Sequence, residues 1–163
     1  MTDKHAVSDG DRQYVTFGID GEILAVSVEH VREILDMQAI ARIPEAPAFL
    51  AGLIDVRGRS VPVVDLRLKL GMAATAVTEA TRIMVVDLPL ADRTLTLGLI
   101  ADRVYEVAAL GAAQIEPPPE LGGQWRSEYV TGVSRRGDRF VLLCDIARLF
   151  KSHEIGSIGP IGA

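Results

Sequence analysis

Along the chain, short apolar runs are separated by turn residues roughly every 8–12 positions, the spacing of an all-β sandwich or barrel. Tyr14-Val15-Thr16-Phe17-Gly18-Ile19 predicts a strand and Glu22-Ile23-Leu24-Ala25-Val26 its return. Between them Asp20-Gly21 is a favoured two-residue hairpin turn, because both residues tolerate positive φ. Ser27 predicts an N-cap, with Glu29 near the positive end of a short turn. Val28, Val31, Ile34 and Leu35 fit a helical spacing, and fit a twisted strand equally well. Residues 42–47 read as a loop, with Pro47 opening one helical turn through Leu50. Strands are predicted over 53–56 and 60–64, joined through Arg57-Gly58. Asp65 then caps a short helix, Leu66-Arg67-Leu68-Lys69-Leu70, which Gly71 stops. A small-residue linker covers 72–80. Strands over 83–86 and 95–100 follow, around a turn at Ala91-Asp92-Arg93. Residues 1–11 and 152–163 read as flexible tails.

The pattern recurs. A shift of 73 residues lays Val31-Arg32-Glu33-Ile34 on Val104-Tyr105-Glu106-Val107, and Pro44 on Pro117. A shift of 80 lays Gly52 on Gly132, Arg59 on Arg139, Val61 on Val141 and Asp65 on Asp145. A repeated strand–turn–strand–Asp–helix unit divides the chain into two β modules, about residues 12–72 and 80–150. Each is small for a core of its own, so the two are expected to share apolar surface.

Composition narrows the class. The 163 residues carry 17 Lys+Arg against 22 Asp+Glu, a net charge of -5, with one Trp, three Tyr and four Phe. Neither a basic stripe nor stacking platforms are available, which argues against a nucleic-acid binder. No apolar run approaches the roughly 18 residues of a membrane span. Met1-Thr2-Asp3-Lys4-His5 lacks the basic-then-apolar order of a signal peptide. Cys144 has no partner, which removes disulfide scaffolds and fits a reducing, cytoplasmic compartment.

Catalytic chemistry finds little to work with. His5, His30 and His153 are scattered, and no His/Cys cluster has metal-ligand spacing, so neither metal nor cofactor is expected. His30 reads more readily as a partly exposed histidine than as a general base. Cys144, after Phe140-Val141-Leu142-Leu143, reads as a small buried hydrophobe. Asp65, Asp87, Asp102 and Asp145 are the candidates for a hydrolase's acid/base pair. Asp65 and Asp145 are better explained as structural caps at equivalent repeat positions. Gly122-Gly123 lacks the context of a phosphate loop.

Surfaces are more informative. Arg57, beside Gly58 at a hairpin tip and flanked by Asp55 and Arg59, presents a guanidinium fork suited to a carboxylate. A solvated turn arginine is the commoner reading of that residue alone. Val31 and Glu33, two apart, would both be partly exposed on a segment extended at a sheet edge; on pattern alone the commoner reading is core for Val31 and solvent for Glu33. Glu116-Pro117-Pro118-Pro119-Glu120 is an adhesive polyproline turn or, more often, a stiff loop.

Several of these segments, taken in order, resemble the CheW family of chemotaxis coupling proteins. They are Leu24-Ala25-Val26, Val31-Arg32-Glu33-Ile34, Ile43-Pro44-Glu45-Ala46-Pro47 and Gly52-Leu53-Ile54-Asp55-Val56-Arg57-Gly58. Val61-Pro62-Val63-Val64-Asp65-Leu66-Arg67 matches the family's P-x-x-D-L-R element. Gly98-Leu99-Ile100-Ala101-Asp102-Arg103-Val104-Tyr105-Glu106-Val107 resembles its G-hydrophobic-x-V-D-x-V-x-E-V element. Tyr129-Val130-Thr131-Gly132-Val133 and Leu142-Leu143-Cys144-Asp145-Ile146 complete the order. The likeness spans about residues 13–151.

The resemblance implies two five-stranded, SH3-like barrels packed on each other, and no enzyme activity. It implies an adaptor that bridges the cytoplasmic tips of methyl-accepting chemoreceptors to the regulatory domain of a CheA-type histidine kinase, in arrays at the inner face of the membrane. Kinase-facing positions fall on Val31 and Glu33, with Arg57 on a partner-binding surface. A receptor-facing groove between the barrels draws on Val15, Val28, Ile34 and Val104. One departure stands out: the family usually has Asn where Asp55 stands. Aspartate only accepts hydrogen bonds, so Asp55 is expected to pair with Arg57 or Arg59 and restrain the hairpin. Within the family, the CheV and CheA architectures need further domains than 163 residues hold, which favours a free-standing coupling protein. The readings from other classes are a β-barrel module for another protein or ligand, and a hydrolase using the scattered aspartates.

Overall fold

In a computed structural model that describes residues 11–118 and 128–150, ten strands form among the described residues. They are β1 (Asp11–Ile19), β2 (Glu22–Ser27), β3 (Val31–Asp36), β4 (Leu50–Val56) and β5 (Arg59–Asp65), then β6 (Arg82–Pro89), β7 (Thr94–Ala101), β8 (Arg103–Gly111), β9 (Val130–Arg136) and β10 (Arg139–Cys144). A four-residue helix, α1 (Leu66–Lys69), follows β5. The strand expected at 14 begins at Asp11, and the tails expected before it and after 151 lie outside the described residues.

Local signals hold at the turns. Asp20 and Gly21 take φ of 53° and 83°, and Arg57 and Gly58 take 52° and 83°, as a two-residue turn matched to strand twist requires. Ser27 Oγ accepts the Glu29 amide at 3.3 Å and starts a 3-10 turn, Val28–His30. The ambiguous segment after it is the strand β3, not a helix. The helical turn expected at Pro47 is instead a β-turn, closed by the Leu50 amide on the Pro47 carbonyl at 3.0 Å.

The strands make two five-stranded sheets, ordered β8-β1-β2-β10-β9 and β3-β6-β7-β5-β4. This corrects the expected division into modules 12–72 and 80–150. The repeat is present, but its two copies exchange their first hairpins. β1 and β2 join β8, β9 and β10, while β6 and β7 join β3, β4 and β5. The reason is local. After β2 the turn Val28–His30 carries the chain across to the other sheet, and after β7 the single residue Asp102 carries it back. In both sheets the hairpin pairs in parallel with the last strand of the other copy, β2 with β10 and β7 with β5.

Each sheet curls as an SH3-like barrel around a private core. One holds Ala25, Leu110, Val141 and Leu143; the other holds Ile54, Val61, Val63, Ile83 and Val85. A larger core lies between them, with Val15, Phe17, Ile19, Leu24 and Val26 from the first barrel against Val64, Met84, Val86, Leu97 and Leu99 from the second. That double burial explains the unbroken run Ile83-Met84-Val85-Val86. Alternate side chains enter the private and the shared core, so no position is left polar.

Candidate partner-binding surface

β3 and β8 are the third strands of the two repeats, and each lies at a sheet edge. Both carry a bulge at the same place. On β3, Val31 pairs with Val86, and Glu33 and Ile34 pair with Val85 and Met84. On β8, Val104 pairs with Phe17 and Val107 with Val15. The extra residue turns the alternation around. Val31 and Ile34, three apart, both oppose residues of the shared core, while Glu33 opposes Val85 of the private core. In β8 the gap is bridged by Thr16, whose hydroxyl donates to the Glu106 carbonyl at 2.8 Å and accepts the Glu106 amide at 3.2 Å.

Glu33 thereby reaches the mouth of the second barrel, where the β4–β5 hairpin brings Arg57. The fork is bidentate, Nη1 to Oε2 at 2.5 Å and Nη2 to Oε1 at 3.0 Å. It ties the two edge strands of that sheet together. Arg57 is 76% exposed and Glu33 20%, so the pair is a surface feature, screened by solvent. The hydrogen bond to Glu33, then its charge, raises the already high pKa of Arg57. Asp55 does not pair with Arg57 or Arg59. Its Oδ1 accepts the Gly58 amide at 2.9 Å and so shapes the turn itself. Asp55 is thus a turn-former, and Arg57 is restrained by Glu33.

The groove candidates fall around the shared core. Val28, Val31 and Val104 are half-buried against it, and Ile34, paired opposite Met84 of that core, is 39% exposed. Val15 is 5% exposed, so it belongs to the shared core itself instead of offering surface.

The other singled-out residues are held in structural bonds. Asp65 Oδ1 accepts the Arg67 and Leu68 amides, and Asp145 Oδ1 accepts the Ala147 amide. Asp87 accepts from the Thr96 hydroxyl at 2.6 Å, and Asp102 takes the Arg67 guanidinium at 2.7 Å. Cys144 is buried, and desolvation pushes its thiol up to about 12, with the Asp145 charge adding to the rise. Among the described residues no three His, Cys, Asp or Glu groups converge as a metal site would require, and no helix is long and apolar enough to cross a membrane. Within the polyproline stretch, Pro119 and Glu120 lie outside the described residues.

Residues 13–154 match the family model of the CheW-like domain. The chain belongs to the CheW family of chemotaxis adaptors. It is 30% identical over 150 residues to the chemotaxis protein CheW of Klebsiella aerogenes, covering 92% of this chain and 88% of that one. The CheW of Treponema pallidum is 29% identical over 156 residues, covering 96% and 92%. The crystal structure of the scaffolding protein TtCheW from Thermoanaerobacter tengcongensis superposes with a TM-score of 0.75 at 28% identity, over 88% of this chain and 94% of that chain. Membership agrees with the paired barrels seen here.

Sequence reasoning passed over a second set of residues on this CheW-family chain. Glu106 and Arg136 form an ion pair at 2.6 Å across the edges of the first barrel, and Val107 is 54% exposed where Ile34 stands in the other repeat. The signal was available, since the 73-residue shift already lays Val107 on Ile34 and Glu106 on Glu33. Arg67, which gathers Asp20 and Asp102, was overlooked as well, and no spacing in the sequence joins those three.

Proposed function

We propose that the chain is a non-enzymatic adaptor that couples methyl-accepting chemoreceptors to the regulatory domain of a CheA-type histidine kinase, in the cytoplasm at receptor arrays. The observation that carries the reading is the separation of two surfaces on one scaffold. A charged mouth, Glu33 with Arg57, is presented at the edges of one barrel, while an apolar rim of Val28, Ile34 and Val104 follows the seam between the barrels. The seam suits the helical tip of a receptor, docked as an amphipathic helix docks in a groove. The mouth suits the edge of a second small barrel in the kinase. Val31 packs on the seam side, so we group it with the receptor-facing set, and Val15 acts beneath it. Each contact need be only moderately tight, because linked arrays add avidity.

Affinity measurements with a receptor cytoplasmic fragment and, separately, the kinase's regulatory domain test this. Glu33→Ala and Arg57→Ala should each weaken the kinase contact by about tenfold and spare the receptor. Ile34→Asp should do the reverse. Wild-type protein that binds neither partner would sink the reading.

A further inference from the structure

Arg67 joins segments that the chain supplies from far apart. It stands in the first turn of α1, its amide bonded at 3.0 Å to the capping Asp65. Its Nη1 donates to Asp102 Oδ2 at 2.7 Å, Nη2 to Asp20 Oδ1 at 3.2 Å and Nε to the Ala73 carbonyl at 2.9 Å. Asp102 Oδ2 also accepts the Asp20 amide at 2.7 Å, and the Asp102 amide donates to the Gly18 carbonyl at 3.0 Å. α1 follows β5 in the second barrel, whereas Asp20 forms the β1–β2 turn of the first. Asp102 is the one residue between β7 and β8, where the chain passes from the second barrel to the first. The Arg67 side chain is only 16% exposed, so these bonds are less screened than a surface pair. Lysine offers a point charge and could not span the three acceptors as the planar fork does.

The repeat supplies an internal control. In the other copy the same capped turn holds Ala147 where Arg67 would be. The counterpart of Asp102 at the other crossover is Glu29, which has no ion pair among the described residues. One crossover is clasped by ion pairs, and the other is a 3-10 turn whose Val28 packs on the shared core with no such clasp among the described residues. The turn itself therefore does not need the arginine, and the clasp is specific to one end of the molecule.

We propose that Arg67 is a positioning residue for the groove between the barrels. By holding the Asp102 crossover and the β1–β2 turn against α1, it sets the angle of one barrel to the other, leaving the Val28–His30 crossover as the compliant end. The groove rim follows directly, because Val104 is two residues beyond Asp102 and pairs with Phe17 of the shared core. The functional arm of this inference rests on the receptor-groove reading above; its structural arm does not.

Two measurements test it. Spin labels on Asp92→Cys, in the β6–β7 turn, and Asp138→Cys, in the β9–β10 turn, report the distance between barrels, while buried Cys144 stays unlabelled. Arg67→Ala should broaden that distance distribution and weaken receptor-fragment binding by about tenfold, with kinase-domain binding changed by less than about twofold. Arg67→Lys should fall between. An unchanged distribution, a broadened one with undiminished receptor affinity, or parallel loss of both partners would each overturn the proposal, the last because it marks general destabilisation. If Arg67→Ala does not fold, Asp102→Asn carries the same measurements. Wild-type protein that binds neither partner defeats the functional reading, while the label distances still decide whether the clasp sets the barrel angle.

Discussion

The two barrels share one wiring diagram and differ in how each is finished. In each, a chain segment before the fourth strand forms a two-bond bridge to it, Ala41 with Leu53 and Glu116 with Val133, every N···O at 2.8 Å. In each, an Asp at or just past the end of the last strand caps a turn, and a Glu–Arg pair ties the edges. The turns part company. Arg57-Gly58 puts its arginine at the tip, whereas Gly137 takes the positive φ in the other turn and Arg136 stays at the strand end. The first mouth holds a recess of about 360 Å³ lined by Thr16, Ile23, Tyr105, Glu106 and Arg136. The second, at about 70 Å³, is nearly filled by Arg32, Glu33, Arg57 and their neighbours. A common frame has thus been given two different faces, one with an open recess and one closed by its own side chains.

The largest difference should come at the paired glycines. A Cβ on Gly52 would lie 2.1 Å from the Ala41 carbonyl oxygen, and its φ of 146° already excludes most side chains. On Gly132 the nearest atom is Ile115 Cγ2 at 2.6 Å, the end of a side chain that can turn aside. Gly52→Ala should cost about 3 kcal/mol or more and Gly132→Ala about 1–2 kcal/mol, read as denaturation midpoints. Equal costs would show that the two bridges are equally rigid, and would remove the distinction.

How much of this could be read beforehand depends on sequence range. The hairpin turns at Asp20-Gly21 and Arg57-Gly58 and the caps at Ser27, Asp65 and Asp145 were legible, because each is decided by a few neighbouring residues. The repeat was legible too, down to Gly52 on Gly132. The exchange of hairpins between its copies was not. Nothing local says that β1 pairs with β8, about 90 residues away, and not with its own copy's third strand. At the site, the partnership of Glu33 with Arg57 depended on the β3 bulge, which periodicity cannot register. The same bulge moved Val31 from the side of Glu33 to the side of the seam.

The caps offer a finer contrast. Asp65 Oδ1 accepts two amides, at 3.0 and 3.3 Å, and its turn carries Arg67. Asp145 accepts one amide at 3.0 Å and faces Arg148 at 3.3 Å on an exposed surface. Asp65→Ala should cost about 1–2 kcal/mol and Asp145→Ala about 1 kcal/mol, measured by urea denaturation. An Asp65 cost well above that range would indicate that the cap and the Arg67 clasp act as one unit, which the double variant with Arg67→Ala would show as non-additivity.

The smallest effect is expected at Cys144, which answers to Val64 in the other repeat. Both occupy the strand position just before the capping Asp, and both lie in the shared core. The thiol makes weak contacts alone, a long one to the Leu142 carbonyl at 3.4 Å and one with the Ala25 backbone, so Cys144→Val should change stability at neutral pH by less than about 1 kcal/mol. Alkaline pH separates the two proteins. Burial raises the thiol to about 12 in the folded chain, so in wild type the unfolded form ionises first. Wild type should therefore lose stability relative to Cys144→Val as pH rises above the free thiol's range near 8.5, and should match it below. Alkylation gives the same answer by another route: at pH 8 the folded wild type should resist a thiol reagent that modifies it promptly in urea. Rapid modification of the folded chain would mean that the last strand of the first barrel opens far more readily than its counterpart, and that the two frames are not equally firm.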